Sequence, residues 1–152
     1  METLKNKRAI VTGGSKGLGL AIVEALLVRE AEVVAIARDE EQFGPAREAG
    51  AQMISGDATD ADLMNRLIVE QAPDILILNA GARLRMKPID QQSWSEFSEG
   101  WNTDVKAGLA GIQAALRTLM KSGGRVLIMS SGGDGARRAV HSAREPEAFR
   151  RP

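Results

Sequence analysis

Hydrophobic positions along this chain follow two alternating rhythms. Short uninterrupted apolar runs occur in Ala9–Thr12, Val33–Ala37, Gln52–Ser55, Ile75–Leu78 and Arg125–Met129. Between them, apolar residues recur every three or four positions. The continuous runs read as strands, and their lack of alternation suits strands covered on both faces. The spaced stretches read as helices. Leu18–Arg29 is one, and Asp60–Glu70 is another, with Asp60 as its N-cap. Glu40–Ala49 is a weaker helix because Pro45 lies inside it. The longest helix starts at Ser93, where Ser93-Trp94-Ser95-Glu96 fits a capping box. Trp94, Phe97, Trp101, Val105, Leu109, Ile112, Leu116 and Leu119 carry its stripe. Lys121-Ser122-Gly123-Gly124 supplies a basic last turn and a glycine stop.

Strands alternating with helices predict an α/β fold with a parallel sheet and helices on both faces. Right-handed crossovers reduce the topologies to a few, and the doubly wound order 3-2-1-4-5 is the expected one. The fold class is therefore a Rossmann-like doubly wound sheet of about five strands over residues 1–131. From Gly132 the character changes: residues 132–152 hold five Arg, three acids and two Pro, with scattered apolar residues and no helix or strand period. That Arg-rich segment reads as a disordered tail, because it can bury little apolar surface.

The length of 152 residues suits one domain. Twenty basic and twenty acidic residues cancel, which argues against nucleic-acid or membrane-surface binding driven by bulk positive charge. The absence of Cys excludes disulfides, thiolate metal sites and Cys nucleophiles, and a single His, His141, argues against a His-based metal site. No apolar stretch approaches the roughly 18 residues a spanning helix needs, so a cytoplasmic location is expected.

The chemistry concentrates in Thr12-Gly13-Gly14-Ser15-Lys16-Gly17-Leu18-Gly19, between the first strand and the first helix. Glycines there permit a tight turn and close approach of backbone to a phosphate, and the helix N-terminus adds N–H donors and partial positive charge. The spacing of Gly13, Gly17 and Gly19 is GxxxGxG, not the GxGxxG of the dinucleotide fingerprint. With its leading Thr12, this loop resembles that of the short-chain dehydrogenase/reductase family. The resemblance continues through Asp57 after the third strand, Leu78-Asn79-Ala80-Gly81 after the fourth, and Val126-Leu127-Ile128-Met129-Ser130-Ser131, and ceases after Ser131.

The resemblance implies an NAD(P)-dependent oxidoreductase that transfers hydride between a nicotinamide and a carbonyl or alcohol. It assigns cofactor contacts to Thr12, Gly13, Ser15, Lys16, Gly17, Leu18, Gly19, Asp57, Asn79, Ala80 and Gly81, with Asp57 at the adenine. A carboxylate ending the second strand would favour NAD. Here that strand ends Ile36-Ala37-Arg38, and Arg38 and Lys16 favour the phosphate of NADP(H). Asp39 keeps NAD as the alternative. No metal site is expected.

The family's chemistry uses a Tyr-x-x-x-Lys pair, a serine and an asparagine. Ser131 matches the serine, with Ser130 as its neighbour alternative. Asp104, in Asp104-Val105-Lys106-Ala107, falls at the asparagine position, ahead of Asn102; an Asp accepts but cannot donate as an amide does. The chain has no Tyr and no Lys after Lys121. His141 alone could donate a proton there, and nothing in the pattern positions it. Hydride transfer needs a poised general acid, so the expectation is a chain with an incomplete catalytic set, read as truncated or frameshifted beyond Ser131. The alternatives are a non-catalytic NADP(H)-binding or interaction module and a half-domain completed by another chain. An unrelated Rossmann-like enzyme such as a methyltransferase would leave Asn79-Ala80-Gly81 and Ser130-Ser131 without a role. A fifth strand left at the sheet edge and an apolar stripe with few partners predict self-association.

Overall fold

The computed structural model describes residues 3–83, 87–118, 120 and 123–130. The expected tail of 132–152, together with Ser131, His141, Leu119 and the Lys121-Ser122 stop, lies outside the described residues. Five parallel strands form one sheet in the order β3-β2-β1-β4-β5. They are β1 (Arg8–Thr12), β2 (Glu32–Ala37), β3 (Gln52–Ser55), β4 (Ile75–Leu78) and β5 (Arg125–Ile128). At the centre, Ala9 of β1 faces Val33 of β2 on one side and Ile75 of β4 on the other. This is the doubly wound arrangement expected from the alternation of runs and periodic stretches.

The helices are α1 (Gly17–Leu27), α2 (Gly44–Glu48), α3 (Ala61–Gln71), α4 (Trp94–Gly100) and α5 (Lys106–Thr118). They cover the sheet from two sides. On one face Ile10, Val34, Ile36, Leu76 and Leu78 pack against Leu63, Met64, Leu67 and Ile68 of α3 and Ala110, Ala114 and Ala115 of α5. On the other face Ala9, Val11, Val33, Ala35 and Ile77 pack against Val23 and Leu26 of α1 and Ala46 of α2. Successive residues of one strand feed opposite cores, which is why the runs are continuous. Each fully buried Ile, Leu or Met stabilises the fold by about 1.5–3 kcal/mol. Small residues on α5 let it approach closely: a Cβ on Gly111 would sit 2.4 Å from Leu78 Cδ2.

Three sequence expectations are corrected. The segment 40–49 is not one helix. Asp39 caps a 3₁₀ turn, Glu40–Gln42, and α2 begins afresh with Pro45 in its first turn, where a missing N–H costs nothing. The long helix from Ser93 is not one α-helix either. Its capping box forms as expected, but a π-helical stretch, Trp101–Val105, separates α4 from α5. Finally, β5 is exposed along its whole length, although its continuous run predicts cover on both faces; the sparse cover of the Trp94 stripe is as expected, since α4 buries none of its residues.

At the N-terminal end of the strands, charge closes the sheet. Asp74 accepts from the Arg8 backbone N–H at 3.0 Å and from Lys7 Nζ at 3.1 Å, and Arg8 pairs with Glu32 at 2.6 Å. The C-terminal ends are built differently.

Candidate functional site

β1 runs into the glycine loop, which folds over the end of β2: the Gly13 N–H donates to Ile36 O at 2.8 Å. The loop has no spare room where it meets α1. A Cβ on Gly19 would lie 2.0 Å from Gly13 O and 2.6 Å from Asn79 Nδ2. Lys16, in extended conformation, precedes α1, and no side chain caps its first turn. The first N–H groups of this helix therefore remain available to an anion, with the helix dipole behind them.

Thr12 joins the loop to the end of β4. Its hydroxyl accepts from the Asn79 N–H at 2.9 Å and the Ala80 N–H at 3.1 Å, and donates to Ile77 O at 3.4 Å. One donor and two acceptor sites are thereby filled. Asn79 returns the connection, with Nδ2 directed at Thr12 O and Gly13 O at 3.2 and 3.4 Å. Side-chain hydrogen bonds thus lock the glycine loop and the turn after β4 into one unit.

Two adjoining grooves open over this unit. The first, about 260 Å³, lies above the ends of β1, β2 and β3. Of the residues singled out in the sequence, Gly13, Ser15, Lys16, Leu18 and Gly19 form one wall of it. Arg38 and Asp57 stand across from them, and Asn79, Ala80 and Gly81 close the side toward β4. The second groove, about 400 Å³, continues from Asn79–Gly81 past Asp104 to Met129 and Ser130. Thr12 is 1% exposed; it underlies the first groove as a strut and reaches only the second. Gly17 is absent from both walls. Gln42, Thr59 and Thr103 line the first groove and carried no sequence signal, since no motif marks them.

Charge in the first groove is mixed. The Thr59 backbone N–H, 2.9 Å from Asp57 Oδ1, is the main cause that holds the Asp57 carboxyl below its ordinary range. Partial burial opposes it; the Thr59 hydroxyl and the positive charges of Arg38 and Lys106 add to it. Asp57 is thus an ionised acceptor facing cations. Asp104, on the π-helical stretch, accepts from the Ala82 N–H at 2.6 Å and so pins the turn after β4 from the helix side. No cluster of metal-ligating side chains occurs among the described residues.

This geometry has known counterparts. The short chain dehydrogenase family model matches residues 7–143. The chain belongs to that family. The match extends beyond Ser131, further than the motifs in the sequence reach. A tropinone reductase homolog of Arabidopsis thaliana is 32% identical over 142 residues, which cover 85% of this chain and 53% of the relative. The ketoacyl reductase HetN of Nostoc is 32% identical over 145 residues, covering 86% of this chain and 50% of the relative. The chain spans about half the length of the curated relatives it matches. Among solved structures, a short chain dehydrogenase from Burkholderia cenocepacia in complex with NADP superposes with a TM-score of 0.71 at 29% identity. It covers 84% of this chain and 56% of its own. A short-chain dehydrogenase/reductase from Serratia marcescens superposes with a TM-score of 0.72 at 26% identity, over 88% of this chain and 58% of its own. No helix among the described residues is long and apolar enough to cross a membrane.

Proposed function

We propose that this chain is the NADP(H)-holding portion of a short-chain dehydrogenase/reductase oxidoreductase, and that the 152-residue polypeptide binds the dinucleotide without turning over a carbonyl or alcohol. One juxtaposition carries the reading. A glycine loop with an uncapped helix start, the cations Lys16 and Arg38, and the ionised Asp57 all face one groove at the carboxyl ends of the strands. This is where ligands bind in open α/β sheets. The residues fit the group: backbone N–H donors and Lys16 suit the pyrophosphate, Asp57 suits a hydrogen-bond donor on the adenine, and Arg38 suits a 2′-phosphate.

When bound, the nicotinamide gives hydride to a carbonyl carbon or takes it from an alcohol. The chain's own part is to hold and orient. Asn79–Gly81 line both grooves, so they border both the dinucleotide and the space beside it. Asp104 keeps that turn in place through the Ala82 N–H. Ser131 is assigned to the carbonyl oxygen by its match to the family serine. With no Tyr anywhere in the 152 residues and no Lys after Lys121, the chain provides no Tyr-x-x-x-Lys pair to deliver a proton as hydride moves. Loss of a placed general acid typically costs about 10²–10⁴-fold in rate.

Self-association belongs to the same proposal. Trp94 and Trp101 are 77% and 71% exposed, and Phe97, Val105, Leu109 and Leu116 continue their line along α4 and α5. Contiguous exposed apolar surface of this kind marks an interaction face.

Calorimetric titration with NADP⁺ and NAD⁺ tests the binding claim. NADP⁺ should bind roughly ten- to a hundredfold more tightly, the value of a charge-assisted phosphate contact, and Arg38→Asp should invert the order. Equal affinities would refute the NADP assignment. Nicotinamide absorbance against a panel of carbonyls and alcohols tests the chemistry. Robust turnover that disappears in Ser131→Ala would overturn the claim of inactivity.

A further inference from the structure

Discrimination between the two dinucleotides turns on carboxylates after β2. One that accepts from the ribose 2′-OH favours NAD and repels a 2′-phosphate. This chain carries such a group: Asp39 stands in the wall of the first groove beside Arg38. Both of its oxygens are engaged by its own turn. Oδ1 accepts from the Glu41 backbone N–H at 3.2 Å, and Oδ2 accepts from the Gln42 side-chain amide. The first bond comes with capping the 3₁₀ turn and follows from Asp39 itself. The second depends on Gln42 alone.

Gln42 lines the same groove, and its Oε1 is buried without a hydrogen-bond partner. A carboxylate only accepts, so the amide must turn its NH₂ toward Asp39 and leave its carbonyl oxygen over. The orientation of Gln42 is thus dictated by Asp39, and the freedom of Asp39 is limited by Gln42.

We propose that Gln42 is a specificity-determining positioning residue. It ties Asp39 to the 3₁₀ turn, withdraws that carboxylate from the ribose, and leaves Arg38 as the charge that meets the 2′ substituent. The proposal rests on the NADP(H) reading above and deepens it. Arg38 supplies attraction; Gln42 removes the competing acceptor that would reward a free 2′-OH.

The test is a double-mutant cycle on the full chain, with the dissociation constants of NAD⁺ and NADP⁺ measured by calorimetry. Gln42→Leu, similar in size but unable to donate, should lower the ratio of the NAD⁺ constant to the NADP⁺ constant by roughly tenfold or more, the order of one hydrogen bond to a charged group. Asp39→Asn added to Gln42→Leu should return the ratio to within about twofold of wild type, because the released acceptor charge is then gone. A packing role for Gln42 would not be reversed in this way. Gln42→Ala carries the same expectations if Gln42→Leu does not fold. A ratio unmoved by either Gln42 variant overturns the proposal, whatever the wild type prefers. So does a fall that Asp39→Asn fails to reverse, because Gln42 then acts without Asp39. Absence of NADP⁺ preference in the wild type strikes the underlying reading instead; the proposal is judged on the change in ratio alone.

Discussion

At the β3 edge of the sheet, Met53 and Ile54 pack half-buried against the two cores, and polar Gln52 and Ser55 mark the strand's ends. At the β5 edge, Val126, Leu127, Ile128 and Met129 are all exposed, on both faces of a strand that, among the described residues, pairs with β4 alone. Both are outer strands of the same sheet, and both are short. The difference is cover. Side chains of α2 and α3 belong to the cores that receive β3, whereas among the described residues almost nothing lies over β5. The α4–α5 side repeats the contrast, with a tryptophan-rich stripe left in the open. The glycine-loop half of the molecule packs its apolar side chains internally, and the β5 half presents apolar surface that asks for a partner. Substitutions of equal chemical size should therefore act through folding on one side and through association on the other.

The sharpest break should come at Gly19. A methyl group there meets Gly13 O at 2.0 Å. Because the obstacle is backbone, the loop must move as a whole. Gly19→Ala is expected to abolish dinucleotide binding by calorimetry and to cost roughly 3 kcal/mol in urea denaturation, the upper range for overpacking. Thr12→Val should follow closely. It preserves shape but leaves the Asn79 and Ala80 N–H groups without their acceptor, at about 2–3 kcal/mol in the same measurement. On the exposed side, Trp101→Gln should change unfolding free energy by no more than about 0.5 kcal/mol, while sedimentation velocity shows weaker self-association. A large loss of stability there would erase the contrast.

The smallest effect should be a pH response at the start of α4. Lys87 and then Ser93 hold the Glu96 carboxyl down, from 4.5 to about 2. A depressed carboxyl stabilises the folded form above its unfolded value and loses that contribution as pH falls toward its folded value. Acidification between pH 4.5 and about 2 should therefore loosen the start of α4, seen as a change in Trp94 fluorescence that Glu96→Gln removes.

Much of this architecture was legible in the sequence. Five apolar runs with helices between them, and one handedness of crossover, leave little choice of strand order. Capping at Asp60 and Ser93 was legible for the same reason, since both rely on neighbours within three residues. What escaped depends on groups distant in sequence or on one residue too many per turn. An apolar stripe with a spacing of three to four cannot distinguish an unbroken α-helix from one with a π-helical stretch at Trp101–Val105. Thr12 bears a family motif, but the partners of its hydroxyl, Ile77 of β4 and Asn79 and Ala80 of the turn after it, lie 65 to 68 residues away and carry no local signal. Gln42 carries no motif at all, and its contribution appears only once Asp39 is seen to need a donor.

Asn79, Ala80 and Gly81 form a wall with a groove on either side. A wall with two faces has one position at a time, and here that position is tied to Thr12 below and, through Ala82, to Asp104 from the helix. Whatever fills either groove therefore meets the same three residues. Thermodynamic reciprocity then applies: a molecule that binds more tightly beside a held dinucleotide must tighten the dinucleotide by the same factor. The residues that border one compartment border the other as well, so any occupant that displaces them alters both.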